Sequence, residues 1–333
     1  MIKSSNKKVS LGQFFTKRDS WLKPHIVDFI KSTDATVAVD PFAGAGDLLE
    51  AAKSMGYAKV MGFDVDESLA WSHNDSLESV PLIKGGIIIT NPPYLTNYSA
   101  KRKGVYASVA KYFKNTPYED LYQLAIEKCL LYDYGVMIVP ETFINSKFSK
   151  SRLASITIIE EMVFDDTENP ICVICFDGKE KSYKDVKVYK NDKLLGDLDY
   201  YESLRKSPLN SHKIKFNTLS GQIALRAVDT TNPNKLISFM KREDLDYDLS
   251  TIKESSRLIT LISVDIKDDK IESIIENSNR ILSSYRASTH DILLSPFKGN
   301  KKNGERRRRL DYQTARAILE DAHEMLSPSI KLF

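Results

Sequence analysis

The chain has 333 residues, 42% of them hydrophobic and 28% charged, and its formal net charge is +3. This composition is typical of soluble globular proteins, and the length allows two domains, each with its own core. No apolar run approaches the ~20 residues that cross a bilayer, and residues 1–10 are polar, so we expect a cytoplasmic protein with no secretory signal and no membrane partner. Three cysteines and five scattered histidines argue against a disulfide framework and a metal site.

The first part of the chain predicts the nucleotide-binding half of a doubly wound sheet. Residues 36–40 form an apolar run typical of a buried parallel strand, and they lead into the glycine-rich turn 41–46. Asp47 can cap the helix that follows, and the next strand, 59–63, leads directly to Asp64. A strand, a glycine-rich turn, a helix and a second strand followed by an acid are the elements of this fold.

Three residues in and after this turn are candidate ligand contacts. Gly44 and Gly46 can adopt positive φ angles and let the backbone approach a ligand, while Asp64 can accept hydrogen bonds from both hydroxyls of a ribose. The pattern differs from the G-x-G-x-x-G of dinucleotide-binding proteins, which disfavours a nicotinamide cofactor. A nucleoside without phosphates fits better, and a tight turn that binds nothing is the alternative.

The segment 86–94 combines a short apolar strand with the sequence Asn-Pro-Pro-Tyr. Pro92 and Pro93 fix their own φ angles, so the Asn91 amide and its neighbouring carbonyls are held with little freedom. An Asn side-chain oxygen and a backbone carbonyl can together accept both protons of one amino group, and Tyr94 offers a flat face for a ring. A proline-rich turn with Tyr94 packed on the core is the alternative.

Asp75 falls before the strand that leads to Asn91, so it too should lie at the carboxyl edge of the sheet, where ligands of open α/β sheets bind. With these strand ends the chain resembles S-adenosylmethionine-dependent DNA adenine-N6 methyltransferases of the gamma arrangement. In that family the cofactor segments come first, the Asn-Pro-Pro-Tyr segment comes next and a target-recognition domain comes last.

The resemblance implies both a fold and an activity. The expected fold is α/β, with a Rossmann-like S-adenosylmethionine methyltransferase sheet and a C-terminal α+β target-recognition domain. The expected activity is transfer of a methyl group from S-adenosylmethionine to N6 of a flipped adenine in double-stranded DNA, as the modification enzyme of a restriction-modification system. A cognate restriction endonuclease that acts on the same site is a candidate partner.

The resemblance also implies contacts between this chain and the cofactor. The methionine end is contacted by Phe14 and Thr16 and by the turn that contains Asp40, Gly44 and Gly46. The ribose is bound by Asp64, and the adenine amino group by Asp75. Relatives often have an aromatic or bulky residue after this last acid, whereas this chain has Ser76, so the group that packs on the cofactor adenine is left open.

The implied catalytic residues are Asn91, Pro92 and Tyr94. We expect the Asn91 side-chain oxygen and the Pro92 carbonyl to accept the protons of the target amino group, and Tyr94 to stack on the flipped ring. Phe176, near the end of the closing strands, matches an aromatic residue that presses on the target base. The alternative for Phe176 is an ordinary core residue.

Two basic segments are candidate DNA contacts. Lys101, Arg102 and Lys103 lie in a basic and aromatic connection after Tyr94. A second cluster, which charge density predicts to be a phosphate-binding patch, consists of Lys298, Lys301, Lys302, Arg306, Arg307, Arg308 and Arg309. A solvated surface loop is the alternative for both segments.

The predicted domain boundary lies where Asp177–Ser182 loses all apolar pattern, so we expect a catalytic domain over 1–180 and a target-recognition domain over 181–333. Before the boundary, the sequence predicts a helix over 119–131 and strands over 135–140, 156–164 and 171–176. After it, the sequence predicts a hairpin around Asn191 and Asp192, a strand over 258–264, and helices over 271–285 and 312–325.

Other enzyme classes share the same motif. Methyltransferases that act on RNA or on a protein glutamine also use Asn-Pro-Pro-Tyr, because these substrates present a similar amino group, and they are the main alternative. Cytosine-N4 methylation is less favoured, since those relatives have Ser in place of Asn91. A DNA-binding protein that has lost the reaction is a further alternative, which the intact motif together with Asp64 and Asp75 disfavours.

Overall fold

The computed structural model describes residues 20–114, 116–161, 169–252 and 258–326. Phe14 and Thr16, the expected contacts to the methionine end of the cofactor, lie outside these residues. The chain divides into two compact units, Met1–Tyr200 and Tyr201–Phe333. Within the described ranges, no helix combines the length and the apolar character that crossing a lipid bilayer requires.

The first unit is built on a nine-stranded sheet with the order β3-β2-β1-β4-β5-β7-β6-β8-β9. The strands are β1 (Val37–Asp40), β2 (Lys59–Asp64), β3 (Ser72–His73), β4 (Gly86–Thr90), β5 (Tyr134–Pro140), β6 (Leu153–Ile159), β7 (Ile171–Phe176), β8 (Lys187–Lys190) and β9 (Lys193–Asp197). The first five strands in chain order run parallel, and β7 pairs antiparallel with β5. Strands β2 and β3 are added on one side of β1, and the chain then crosses over to place β4 and β5 on the other side. The switch point, where such sheets bind ligands, therefore lies between β1 and β4.

The parallel strands are apolar because both faces of the sheet are covered. In β4, Ile87, Ile88 and Ile89 are fully buried, and β1 is buried along its whole length. Such continuous apolar runs are typical of strands with helices on both sides. Among the described residues, the α-helices that lie wholly in this unit are α1 (Pro24–Ser32), α2 (Asp47–Ser54), α3 (Asn97–Arg102), α4 (Tyr106–Phe113) and α5 (Leu121–Cys129).

The helix after the glycine turn begins where the local sequence allows it. Gly46 is its N-cap, in the left-handed conformation with φ of 90°, and Asp47 and Glu50 lie in its first turn. Negative side chains are favourable there because the N-terminal end of a helix carries a partial positive charge. The turn therefore presents backbone N–H groups at the end of β1.

The sheet of the first unit extends past residue 180, where the sequence suggested a domain boundary. The hairpin β8–β9 joins it because β8 pairs in parallel with β6, from Ser155 opposite Lys187 to Ile158 opposite Lys190. The polar stretch Asp177–Ser182 is thus a connection within the unit. The chain passes to the second unit inside the short helix α6 (Leu198–Ser203).

The second unit is α+β. Its four-stranded sheet has the order β10-β13-β11-β12 and is antiparallel, and a two-stranded hairpin, β14–β15, is separate from it. Its elements are β10 (Ile214–Phe216), β11 (Ile223–Arg226), β12 (Ser238–Lys241), β13 (Ile259–Val264), α7 (Ile271–Thr289), β14 (Ser295–Asn300), β15 (Arg306–Arg309) and α8 (Tyr312–Glu324). The parallel strands of the first unit, with their order and switch point, confirm the expected α/β fold with a Rossmann-like sheet.

Candidate active site

A cleft opens at the carboxyl edge of the parallel strands, beside the switch point. Its lining combines carboxylates with apolar side chains, as is usual for sites that bind small molecules. Five predicted site residues line it: Asp40, Gly44, Asp64, Asp75 and Asn91. The sheet brings them together because Asp40, Asp64 and Thr90 are the last residues of β1, β2 and β4.

The two glycines of the turn have different roles. Both have positive φ angles, and the space around a Cβ built on Gly44 is nearly open, so the backbone there is accessible from the cleft. A Cβ on Gly46 would lie 2.7 Å from the Trp71 ring. Trp71 also donates a hydrogen bond from Nε1 to the Gly44 carbonyl, at 2.9 Å. Gly46 therefore makes room for an indole that supports the turn.

Asp40 is a buried carboxyl group, with only 1% of its surface exposed. Its Oδ1 accepts hydrogen bonds from the Thr90 hydroxyl at 2.5 Å and from the Phe42 backbone N–H at 3.0 Å. Burial raises the pKa of Asp40 to about 7, although these hydrogen bonds oppose the shift. Near neutral pH this acid is therefore poised between its charged and neutral forms, and a cationic ligand group would favour the charged form.

Asp64 is held by the backbone. Its Oδ2 accepts from the Gly44 N–H and its Oδ1 from the Asp66 N–H, both at 2.9 Å. A carboxylate oxygen can accept more than one hydrogen bond, so Asp64 can still bind a hydroxyl of a ligand while its position stays fixed.

Asp75 is contacted by two side chains of α4 that the sequence did not single out as ligand-site residues. Its Oδ2 accepts from the Lys111 ammonium and from the Tyr112 hydroxyl, both at 2.7 Å, and Tyr112 itself lines the cleft. Hydrogen bonds to Asp75 and Glu78 raise the pKa of Lys111. Burial and then the bond to Asp75 raise the pKa of Tyr112 to about 12. Both side chains are therefore donors at neutral pH.

Ser76 is buried and accepts a hydrogen bond from Asn74 Nδ2 at 2.8 Å. Its short side chain leaves the apolar lining of the cleft to other residues. These include Phe42, Leu48, Val65, Leu69, Leu77 and Pro93. A planar ring in the cleft can therefore pack on aliphatic side chains without an aromatic residue after Asp75.

In the Asn-Pro-Pro-Tyr segment, Asn91 and Pro93 line the cleft, whereas Pro92 is buried. The Tyr94 hydroxyl lies 2.5 Å from Asn91 Oδ1 and 2.9 Å from the Ile138 carbonyl, so its single proton is shared between these two acceptors. Burial raises the pKa of Tyr94 well above its usual value, so it stays a donor. Tyr94 is thus beside Asn91, but its half-buried ring packs on the core instead of covering the cleft.

Phe176 does not belong to this site. It is fully buried and pairs with Gly135, next to the start of β5, whereas Asn91 follows Thr90, which pairs with Met137 farther along that strand. Its ring fills the space beside Gly135, where a Cβ would lie 2.2 Å away. The prediction that Phe176 presses on the target base is wrong, because the antiparallel direction of β7 carries it to the amino end of the parallel strands.

The first basic segment is exposed as predicted: Lys101 and Arg102 lie on α3, and Lys103 follows it. The second does not form a single exposed patch. Its four arginines are the strand β15, so alternate side chains point to opposite faces, and Arg306 and Arg308 are buried. The remaining members differ in exposure: Lys301 is buried beside Glu305, Arg307 and Arg309 are half-buried, and Lys298 and Lys302 are exposed.

One sequence family matches part of the chain. Residues 78–168 match the family model described as Eco57I restriction-modification methylase. This range begins after Asp75, includes the segment Asn91–Tyr94 and helices α3 to α5, and ends before β7. No curated protein matches the chain.

Several solved structures are similar to this chain at a low level. A Listeria monocytogenes protein provisionally named a class I S-adenosylmethionine-dependent methyltransferase is 16% identical, with a TM-score of 0.35, over 50% of this chain and 61% of that one. A modification subunit of a provisionally assigned type I restriction enzyme from Vibrio vulnificus YJ016 is 16% identical, with a TM-score of 0.38, over 57% and 49%. A type I restriction-modification methyltransferase subunit from Streptococcus thermophilus is 14% identical, with a TM-score of 0.37, over 54% and 47%.

The chain therefore spans about half the length of the last two structures and 61% of the first. The sequence of the Asn-Pro-Pro-Tyr region is the part of the chain with a family match. The resemblance to restriction-modification methyltransferases is thus confirmed for residues 78–168.

Proposed function

We propose that this protein is an S-adenosylmethionine-dependent methyltransferase that methylates N6 of a flipped adenine in double-stranded DNA, as the modification enzyme of a restriction-modification system. One observation carries the proposal. A single cleft joins the glycine turn and its acids to Asn91. Asn91 itself lies inside the segment that matches the methylase family. DNA as the substrate places this activity in the cytoplasm, and a restriction endonuclease with the same target is the proposed partner.

The residues of the cleft fit the cofactor from end to end. Asp40 suits the cationic methionine part, Asp64 the ribose hydroxyls and Asp75 the adenine amino group, while Gly44 lets the backbone approach. The aliphatic lining of the cleft supplies faces for the adenine ring. When bound there, S-adenosylmethionine supplies an electrophilic methyl group, so no residue of the chain has to act as a nucleophile.

Asn91 and Pro92 act on the target amino group. Its nitrogen is a poor nucleophile because the lone pair is delocalised into the ring. When the Asn91 side-chain oxygen and the Pro92 carbonyl accept its two protons, the nitrogen is drawn toward a pyramidal form, and both acceptors stabilise the positive charge that grows on it. The Tyr94 hydroxyl holds Asn91 Oδ1 in place, and this positioning is the rest of the catalysis.

A duplex hides the adenine amino group in its base pair, so the target nucleotide must leave the stack. Tyr94, beside Asn91, is the proposed stacking partner of the flipped base, since Phe176 lies at the opposite end of the parallel strands. Lys101, Arg102 and Lys103 are proposed phosphate contacts. The second unit is the proposed target-recognition domain, with Lys298, Lys302, Arg307 and Arg309 as candidate DNA contacts.

The test is to follow the methyl group. The purified protein is incubated with S-adenosylmethionine labelled in the methyl group and with duplex DNA, RNA or a protein extract in separate reactions. We expect label in DNA, as N6-methyladenine. Label in RNA or in a protein glutamine instead would support the alternative enzyme classes, and no transfer to any substrate would contradict the proposal.

A further inference from the structure

The segment that follows the Asn-Pro-Pro-Tyr sequence has an unusual charge. Residues 97–114, which contain α3 and α4, include five Lys or Arg and no Asp or Glu, although the chain as a whole has 48 basic and 45 acidic residues. An ordinary solvated surface carries both signs interspersed. A segment of one sign beside a reaction cleft is instead suited to a partner of the opposite charge.

Tyr98, on α3, is the most exposed aromatic side chain in the described residues, at 69%. A nucleic-acid base can stack on such an exposed ring. Tyr98 lies only four residues beyond Tyr94, so the exposed ring is close in sequence to the segment that would hold the target base.

Lys101 and Arg102 follow Tyr98 by three and four residues, so the three side chains share one face of α3. Both cations are exposed. The Lys101 ammonium lies 5.0 Å from the centre of the Tyr106 ring, a cation–π contact that restrains the long side chain. One face thus combines a stacking surface with two positive charges.

The helix that carries this face is fixed to the protein. The Thr96 hydroxyl caps α3 by accepting from the Ser99 N–H at 3.0 Å. Ala100, on the opposite side of the helix, is fully buried in a cluster with Leu95 and Leu77, and Leu77 also lines the cleft. The position of the exposed face is therefore set by the same packing that shapes the cleft.

We propose that Tyr98, Lys101 and Arg102 form a binding surface for the DNA strand next to the flipped nucleotide, in which Tyr98 stacks on a base and the two cations contact phosphates. The inference rests on the proposed function, because it requires a DNA substrate. Flipping a nucleotide leaves its neighbours with an open stacking position, and an exposed ring beside the reaction site can fill it.

The test has two comparisons. Tyr98→Ala is compared with Tyr98→Phe, which keeps the ring. Lys101→Ala and Arg102→Ala are compared with Lys31→Ala, a matched control because Lys31 is exposed in the last turn of α1. Affinity for a fluorescent DNA duplex is measured over a series of salt concentrations, and cofactor affinity is measured by calorimetry as the check on folding. We expect Tyr98→Ala to weaken DNA binding about 5- to 100-fold and Tyr98→Phe to keep most of the affinity. Each cation removed from α3 lowers the salt slope by about 0.9, and Lys31→Ala leaves it unchanged.

Three results overturn the inference. The first is wild-type DNA affinity for Tyr98→Ala, or a loss that Tyr98→Phe shares. The second is an unchanged salt slope in both cation variants. The third is tighter binding to RNA of the same sequence than to DNA. If any of these results is found while the wild type still methylates DNA, only the inference is contradicted. If the wild type binds the cofactor but neither binds nor methylates DNA, the proposed function is contradicted as well.

Discussion

At the scale of single residues, the hydrogen bond between Thr90 and Asp40 connects the two halves of the site. Thr90 is fully buried and directly precedes Asn91, and its hydroxyl donates to the acid at the end of β1. The residue before the proposed catalytic Asn is therefore bonded to the proposed partner of the cationic cofactor. The position of Asn91 and the charge of Asp40 depend on the same contact.

Thr90→Val keeps the shape of the side chain but removes this donor. Because a hydrogen bond to the charged form lowers a pKa, we expect the pKa of Asp40 to rise further above about 7, with the nearby charge of Asp64 acting in the same direction. At pH 7 fewer molecules then carry an ionised Asp40, so cofactor affinity falls and recovers at higher pH. Calorimetry across a pH series measures this.

Thr90→Ser is the matched control, since it retains the hydroxyl and should keep the wild-type pH profile of cofactor binding. A parallel loss of affinity at every pH in both variants would point to packing as the cause. Identical profiles for the wild type and Thr90→Val would show that the bond does not influence Asp40.

The sequence predicted Asp40, Asp64 and Asn91 because each stands at the end of an apolar strand, and parallel strands end at one edge of a sheet. Asp75 was predicted from its position before the strand that leads to Asn91. It did not predict Thr90, Trp71 or Tyr112. Their partners lie 50, 27 and 37 residues away in the chain, so no local pattern connects them. Such pairs are determined by the packing of the fold and become visible only in three dimensions.

At the scale of elements, helix α4 supplies Asp75 with two donors. Tyr112 and Lys111 both bind Oδ2, which restricts rotation of the carboxylate that would read the cofactor adenine. A carboxylate fixed in advance loses less freedom when a ligand binds, which strengthens binding. Helix α4, the second helix after the Asn-Pro-Pro-Tyr segment, is thus also part of the proposed cofactor site.

Tyr112→Phe removes one of these donors, and we expect the affinity for S-adenosylhomocysteine to fall about 3- to 10-fold, the effect of one typical hydrogen bond. Tyr106→Phe is the matched control because Tyr106 is on the same helix and lies outside the cleft lining. Calorimetric titration of both variants measures the difference. An equal change in the two variants, or none in Tyr112→Phe, would contradict the role assigned to α4.

Two errors at this scale concern properties that a local sequence pattern does not encode. The run Arg306–Arg309 predicted an exposed patch from its charge density, but charge density does not indicate whether the segment is a loop or a strand. As strand β15, its side chains alternate between two faces, and two are buried. Phe176 was misplaced because its apolar pattern gives no strand direction. In contrast, strongly periodic segments were predicted well: the helix expected over 271–285 spans Ile271–Thr289.

A buried ion pair in the second unit ties β15 to α7. Arg286 contacts both oxygens of Asp229 at 2.9 Å, and Asp229 Oδ2 also accepts from the Arg308 N–H. Burial alone would raise the pKa of Asp229, but the hydrogen bonds from Arg286 and the backbone lower it below its usual value. This carboxylate therefore contributes to stability above the pKa it has in the unfolded chain.

Asp229→Ala should lower the free energy of unfolding by about 3 kcal/mol at pH 7, because it leaves a buried arginine with one partner fewer. The difference from the wild type should shrink as the pH falls through the folded-state pKa of Asp229, where the wild type loses the same contribution. Asp246→Asn is the control: its carboxylate pairs with Lys235 on the exposed surface, so this substitution should leave stability nearly unchanged. Urea unfolding at several pH values measures both, and equal effects of the two substitutions would contradict the account.

At the scale of the whole molecule, two compact units are present, but the division between them was not readable from composition. The polar stretch before residue 183 resembled a linker, whereas β8 and β9 continue the first sheet by pairing with β6. The backbone N–H and C=O groups along an unpaired edge strand lack partners within the sheet, and β8 supplies such partners to β6. That pairing joins residues 32 positions apart, so sequence pattern alone could not place it: Ser155 lies opposite Lys187.

The central claim is that the oxygen acceptors at Asn91 and Pro92 direct the methyl group to adenine in DNA. The most direct measurement is to express the wild type and Asn91→Ala in a host without DNA methylation and to map modified bases by single-molecule sequencing. We predict N6-methyladenine at one recurring sequence with the wild type and at least a 100-fold lower rate with Asn91→Ala, whose cofactor affinity stays near that of the wild type. Unmodified DNA with the wild type, or equal methylation by both proteins, would contradict the account.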